Sequence, residues 1–177
     1  MGSSYVRHLE RAINKSFTKV LMPLPLRMVG KPGLRLSELP QVMEIHLHPQ
    51  GSGVLIIQIG GNDIGSIPER QWEEELNVIV RLAVEKFPDY KLFWSDMFPR
   101  TSWRYCHPRA GRKHYLRLQR RARKLFYENG GSVIRHPALT IQLLNPDGVH
   151  LSETGNAFLL ADLEAAMALC LSESASL

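Results

Sequence analysis

Cysteine is scarce in this chain. Only Cys106 and Cys170 occur, far apart, which excludes a disulfide framework and a C-x-x-C metal cluster, and both are expected as reduced thiols. No apolar run approaches the roughly 18 residues of a membrane-crossing helix. No basic segment leading into an apolar one marks a secretory signal, so an intracellular, cytoplasmic location is expected. Val6 stands where a myristoylation signal needs Ser or Thr, which argues against a lipid anchor. His46, His48, His107, His114 and His136 are scattered and lack a His-x-x-x-His spacing with a carboxylate, so no metal site is expected. The glycines at 60 and 61 are not followed by Gly-Lys-Ser/Thr and have the wrong spacing for a dinucleotide fingerprint. With no repeat, linker or low-complexity stretch, the 177 residues, 44% of them hydrophobic, read as one domain over 1–177.

What the chain does have is periodic hydrophobicity that switches between two repeats. Val6, Leu9, Ala12 and Ile13 recur at helical spacing, which predicts a helix starting at Ser3–Ser4. Pro23 and Pro25 make Lys19 to Arg27 irregular or edge structure, with Leu26–Val29 the better strand candidate and Gly30-Lys-Pro-Gly33 a turn. Leu39, Val42, Met43 and His46 predict a helix within 37–47. Gly53 to Gly60 is a nearly continuous run of branched apolar residues, and predicts a central strand, Val54–Ile59, buried on both faces of a parallel sheet. A helix from Glu69 to Phe87, a strand Tyr90–Trp94, a helix from Arg109 to Tyr127, a strand Ser132–Ile134 and a helix from Ser152 to Leu171 follow. Strands alternating with helices imply an α/β fold, a three-layer α/β/α sandwich with a short parallel sheet. Such sheets bind ligands beyond the carboxyl ends of their strands.

Ester hydrolysis by a serine needs an exposed hydroxyl, an imidazole base, a group that orients the imidazole, and donors for the oxyanion. Ser4 offers the hydroxyl at a helix start, where amide N–H groups favour developing negative charge, although a plain N-cap fits the same position. Asp147-Gly-Val-His150 puts a carboxylate and an imidazole on one short loop; an Asx-turn beside a surface histidine is the alternative. Asn62, in Gly60-Gly61-Asn62-Asp63, offers an amide donor at the end of a strand, or simply a turn that ends it. The net charge is +5, with much of the excess between Arg109 and Lys124. There Arg112, Lys113, Arg117, Arg120, Arg121, Arg123 and Lys124 surround the apolar stripe Tyr115, Leu118, Ala122, Leu125. That helix is either a solvated face covering a sheet or a surface for nucleic acid or anionic lipid headgroups.

Taken together, Gly2-Ser3-Ser4, Gly33, Gly60-Gly61-Asn62-Asp63 and Asp147-Gly-Val-His150 resemble the first, second, third and fifth blocks of the SGNH (GDSL) serine hydrolases. The likeness covers nearly the whole chain. The wording Gly-Ser-Ser-Tyr-Val-Arg and Asp-Gly-Val-His-Leu-Ser-Glu-Thr-Gly-Asn is similar to SGNH domains of vertebrate genomes, some in retroelement-derived proteins. The resemblance implies a flavodoxin-like sandwich and an esterase acting on a small-molecule or lipid ester, with no cofactor or metal. It implies Ser4 as nucleophile, His150 as general base and then acid, Asp147 as its orienter, and the Ser4 and Gly33 amides with the Asn62 side chain as oxyanion donors. An inactive scaffold and a basic-surface binding module are the alternatives. Ser3 replaces the family's usual Asp, which changes how the nucleophile turn is braced. The family also carries an apolar strand just before its first block, where only Met1 precedes Gly2 here. The expectation is a sheet lacking its first strand, less stable and a poorer catalyst than a longer form.

Overall fold

The computed structural model describes Met1 and residues 27–174. Within them lie three parallel strands, β1 (Gly53–Ile57), β2 (Tyr90–Ser95) and β3 (Ser132–Ile134), and four helices, α1 (Leu39–His46), α2 (Glu69–Lys86), α3 (Pro108–Glu128) and α4 (Glu153–Ser174). Short 3-10 turns occupy Leu36–Glu38 and Ile141–Leu143. The strands run in the order β1-β2-β3, with Leu55 opposite Leu92, Ile57 opposite Trp94, and Ser95 opposite Ile134. Each consecutive pair is linked through a helix, as parallel strands require.

The period of two along β2 divides the layers. Leu92 and Trp94 join Leu55 and Ile57 in the main core, where Trp94 meets Trp72 of α2 edge-on at 6.5 Å and Phe126 of α3 at 5.2 Å between ring centroids. Trp72, Leu76, Ile79, Val80 and Ala83 are the buried stripe of α2; Leu118, Gln119, Ala122 and Phe126 are that of α3. Lys91 and Ser95 point to the opposite face and contact α4: the Lys91 ammonium donates to the Cys170 carbonyl at 3.3 Å, and Ser95 is tied to α4 through His136. A second cluster, Phe98, Leu139, Leu151 and Leu159, closes that side. The fold is the expected α/β/α sandwich.

Several expectations change in detail. Val54 and Ile56 are half-buried rather than buried, and among the described residues β2, not β1, is the strand with a neighbouring strand on each side. On the other edge of β1, the Met1 amino group donates to the Ile56 carbonyl and the Gln58 amide donates to the Met1 carbonyl at 2.9 Å. Leu26–Val29 is not a strand where it is described: 27–29 are irregular, and Met28 packs its side chain into the second cluster instead of joining the sheet. The helix expected at Ser3–Ser4, and with it Ser4, lies outside the described residues. Neither Cys106 nor Cys170 is in a disulfide. Among the described residues no helix is long and apolar enough to cross a membrane.

Candidate active site

The segments leaving the carboxyl ends of the strands converge. Lys31 to Leu34 form a turn in which the Leu34 amide donates to the Lys31 carbonyl at 3.2 Å. Pro32 and Gly33 occupy its centre, and Gly33 has φ +71°, the left-handed conformation that a type II turn demands of its third residue. The turn's own bond uses the Leu34 N–H and leaves the Gly33 N–H outside it. Beyond β1, the Asn62 amide donates to the Leu34 carbonyl at 3.1 Å, which joins Asn62 to the Gly33 turn. Beyond β2, Arg100 donates to the Asn62 side-chain oxygen at 3.3 and 3.4 Å. That contact fixes which end of the Asn62 amide is the donor.

Arg100 is in turn held from behind. The Met97 amide donates to the buried Gln119 at 3.0 Å and the Tyr115 hydroxyl donates to the Met97 carbonyl at 3.0 Å, so α3 sets the path by which the chain leaves β2. The next residue, Thr101, donates its amide to the Gly148 carbonyl at 2.9 Å. Gly148 is required there twice: its φ is +67°, and a Cβ would come within 2.1 Å of the Thr101 hydroxyl. The chain of contacts thus runs from the Gly33 turn through Asn62 and Arg100 to the loop bearing Asp147 and His150.

On that loop an Asx-turn and a carboxylate–imidazole contact occur together. One carboxylate oxygen accepts from the Val149 amide at 2.8 Å, which is an Asx-turn, and from the His150 amide at 2.9 Å. The other lies 2.6 Å from His150 Nδ1. Partial burial pushes the Asp147 carboxyl up, but the bonds from the His150 ring and from the two amides outweigh it and hold the carboxyl at about 2. With Nδ1 held by a carboxylate, the orientation of the ring is fixed and Nε2 points away from Asp147. Behind the loop, the Ser152 hydroxyl accepts from the Gly155 amide at 3.2 Å to cap α4, and Asn156 donates to the Leu151 and Ser152 carbonyls. The Ser-Glu-Thr-Gly-Asn that follows His150 is therefore its buttress.

The structure also contains a constellation that the sequence reading missed. Ser95 Oγ lies 2.8 Å from His136 Nε2, and His136 Nδ1 lies 2.8 Å from Asp162. Ser95 is 1% exposed and the His136 side chain 3%, so the hydroxyl and the imidazole are closed to solvent while the Asp162 carboxylate is partly exposed, and the three tie β2, the β3 exit and α4 together. The other histidines among the described residues have local work. His107 caps α3 by accepting from the Arg109 amide, His114 pairs with Glu69, His46 meets Arg27, and His48 accepts from the Gln50 amide. Among the described residues no group of three His, Cys, Asp or Glu side chains is placed to hold a metal.

The basic helix is less cationic than its sequence suggests. Arg117 pairs with Glu69 at 2.6 Å, Arg121 with Glu73, Arg123 with the buried Asp96 at 2.9 Å, and Lys124 with Glu128 at 3.5 Å. Exposed Arg109, Arg112, Lys113 and Arg120 keep charge that no carboxylate answers among the described residues.

No family model matches this sequence, and no curated protein matches it. Solved structures do. A GDSL-like lipase from Bacteroides thetaiotaomicron superposes with a TM-score of 0.80 at 16% identity, covering 96% of this chain and 86% of that one. A carbohydrate esterase family 3 protein from Talaromyces cellulolyticus gives 0.67 at 12% identity, over 98% and 96%. The OSK domain of Drosophila Oskar gives 0.70 at 17% identity, over 94% and 86%. The chain has the SGNH (GDSL) hydrolase fold. At these identities the likeness concerns the fold.

Proposed function

We propose that this protein is a serine esterase that hydrolyses a carboxylic ester through Ser4, His150 and Asp147. The observation that carries the reading is the Asp147–His150 pair, joined at 2.6 Å on a solvent-accessible loop at the ligand edge of a GDSL-type fold. In this mechanism His150 Nε2 takes the Ser4 proton as the hydroxyl attacks the ester carbonyl. Asp147 holds the ring in the tautomer with Nδ1 protonated and stabilises the imidazolium that forms. The tetrahedral oxyanion is met by the Ser4 and Gly33 amides and by the second N–H of Asn62, whose first N–H is spent on Leu34. His150 then gives its proton to the leaving alcohol, and water repeats the cycle on the acyl-enzyme. A small-molecule or lipid ester is the expected substrate, and no cofactor enters the chemistry.

Turnover of short-chain nitrophenyl esters tests the reading. Activity that disappears in Ser4→Ala supports it; undiminished turnover in that variant, or none in the wild type, contradicts it. A nucleic-acid or anionic-lipid module built on the α3 helix is less well supported, because Arg117, Arg121, Arg123 and Lys124 already face carboxylates.

A further inference from the structure

Arg100 lies across the turn that carries Asn62. Both of its terminal nitrogens donate to Asn62 Oδ1, at 3.4 and 3.3 Å, so the fork closes on one oxygen. At the other end of the same amide, Nδ2 donates to the Leu34 carbonyl at 3.1 Å. That carbonyl belongs to a fully buried residue whose own amide closes the Gly33 turn, which makes it a fixed acceptor. A flipped amide would set Oδ1 against a carbonyl oxygen and an NH2 group against a cation. The two contacts therefore allow one orientation of a group whose terminal torsion is otherwise soft.

The guanidinium is itself placed by the fold. Its carbon stands 5.8 Å from the centroid of the Trp103 ring, and that ring packs 6.2 Å from the ring of Tyr115 on α3. Two glycines make room for the arrangement. A Cβ on Gly61 would come within 2.7 Å of Arg100 Nη2, and a Cβ on Gly111, inside α3, within 2.4 Å of the Trp103 ring. Neither glycine has a positive φ, so what each supplies is space. Glycine is unfavourable inside a helix, and the Trp103 ring accounts for this one.

An amide whose oxygen accepts from a cation loses electron density at its nitrogen, and its N–H groups become stronger donors. A donor that serves an oxyanion must also be oriented before the charge develops. We propose that Arg100 is a positioning residue for the ester hydrolysis: by gripping Oδ1 it fixes Nδ2 as the donor end of Asn62 and strengthens the N–H that meets the oxyanion. The inference rests on the esterase reading, in which Asn62 is an oxyanion donor.

The test is a double-mutant cycle on turnover of a nitrophenyl ester. Arg100→Met is expected to lower kcat about tenfold with KM changed less than about twofold, since the contact acts where charge develops. In an Asn62→Ala background the same substitution is expected to cost less than about twofold. Arg100→Lys should recover part of the loss. Gly61→Ala keeps the charge but displaces the fork; it should lower kcat about as far, with little further loss when Arg100→Met is added. The ratio of wild-type to Arg100→Met turnover should stay constant with pH, because a guanidinium does not titrate in the working range. Should Arg100→Met fail to fold in a thermal melt, Arg100→Lys, which keeps the charge and loses the fork, carries the same cycle.

Losses that multiply in the cycle, a loss confined to KM, or a displaced pH profile, which would mean that Arg100 acts on the base, overturn the inference; turnover that still depends on Ser4 then leaves the esterase reading intact. No turnover in the wild type, or undiminished turnover in Ser4→Ala, removes the esterase reading and this inference with it.

Discussion

Two regions of this molecule hold the same chemical groups and differ in everything around them. At 147–150, an imidazole faces a carboxylate at 2.6 Å on a loop, with the His150 side chain 27% exposed. Behind β2, His136 faces Asp162 at 2.8 Å and Ser95 at 2.8 Å, with the imidazole 3% exposed. By geometry alone the second is the better formed triad. Among the described residues its hydroxyl and imidazole are shut from solvent. A Ser-His-Asp contact therefore does not define an active site; access and oxyanion donors do. The buried set fastens an α4 side chain to the sheet. Burial pushes the His136 imidazole down, against the pull of Asp162, which favours the neutral ring.

The comparison can be broken first at the two histidines. His150→Ala is expected to lower ester turnover by about 10⁴-fold or more while leaving thermal unfolding nearly unchanged. A loss of stability with intact turnover would invert the roles assigned to the two regions. Next in size is Asn62→Ala, expected to cost roughly 10²–10³ in kcat by removing one oxyanion donor. Steady-state kinetics with a nitrophenyl ester measures it, and an effect confined to KM would argue against the oxyanion role.

A third prediction concerns pH. The Asp63 carboxyl is raised from 3.8 to about 7 mainly by burial, so its contribution to stability is full below 3.8 and is lost as pH rises through about 7. Asp63→Asn keeps an acceptor for the Leu36 amide and should flatten that decline, gaining on the order of 4 kcal/mol at alkaline pH. Asp147 and His136 act in the opposite sense: their values are lowered, so their contributions are present at neutral pH and fade on acidification. Denaturant melts of wild type and Asp63→Asn across the pH range separate these signs.

The smallest expected effect is that of His136→Ala. It should destabilise the fold by about 1–3 kcal/mol, since it leaves Ser95 and Asp162 without their shared partner, and should leave kcat/KM within about twofold. A chemical-denaturation curve and one kinetic assay check both halves.

Much of this was legible in the sequence because it depended on local pattern. The glycine-bounded run at 53–60 gave β1, the stripes of Trp72 to Ala83 and Tyr115 to Phe126 gave helices within a few residues of their ends, and Asp147 and His150 touch because they are three residues apart. What could not be read depended on residues distant in sequence. Ser95, His136 and Asp162 come from three elements and carry no shared spacing. Arg100 showed only that it follows a strand end, the position from which loops reach the ligand edge. How much of the charge of α3 is answered was not legible for the same reason, since Glu69, Glu73 and Asp96, which pair with it, lie on α2 and just after β2. Val54 and Ile56 look as apolar as Leu55 and Ile57, and composition does not reveal that one face of a strand is less covered.

The account rests on the claim that the exposed loop, not the buried triad, serves a reactive serine. A fluorophosphonate probe, which labels only an activated serine, followed by peptide mapping, tests it directly. The account predicts a single adduct on Ser4 that disappears in His150→Ala and persists in His136→Ala. An adduct on Ser95, or labelling of Ser4 that is indifferent to His150, would contradict it.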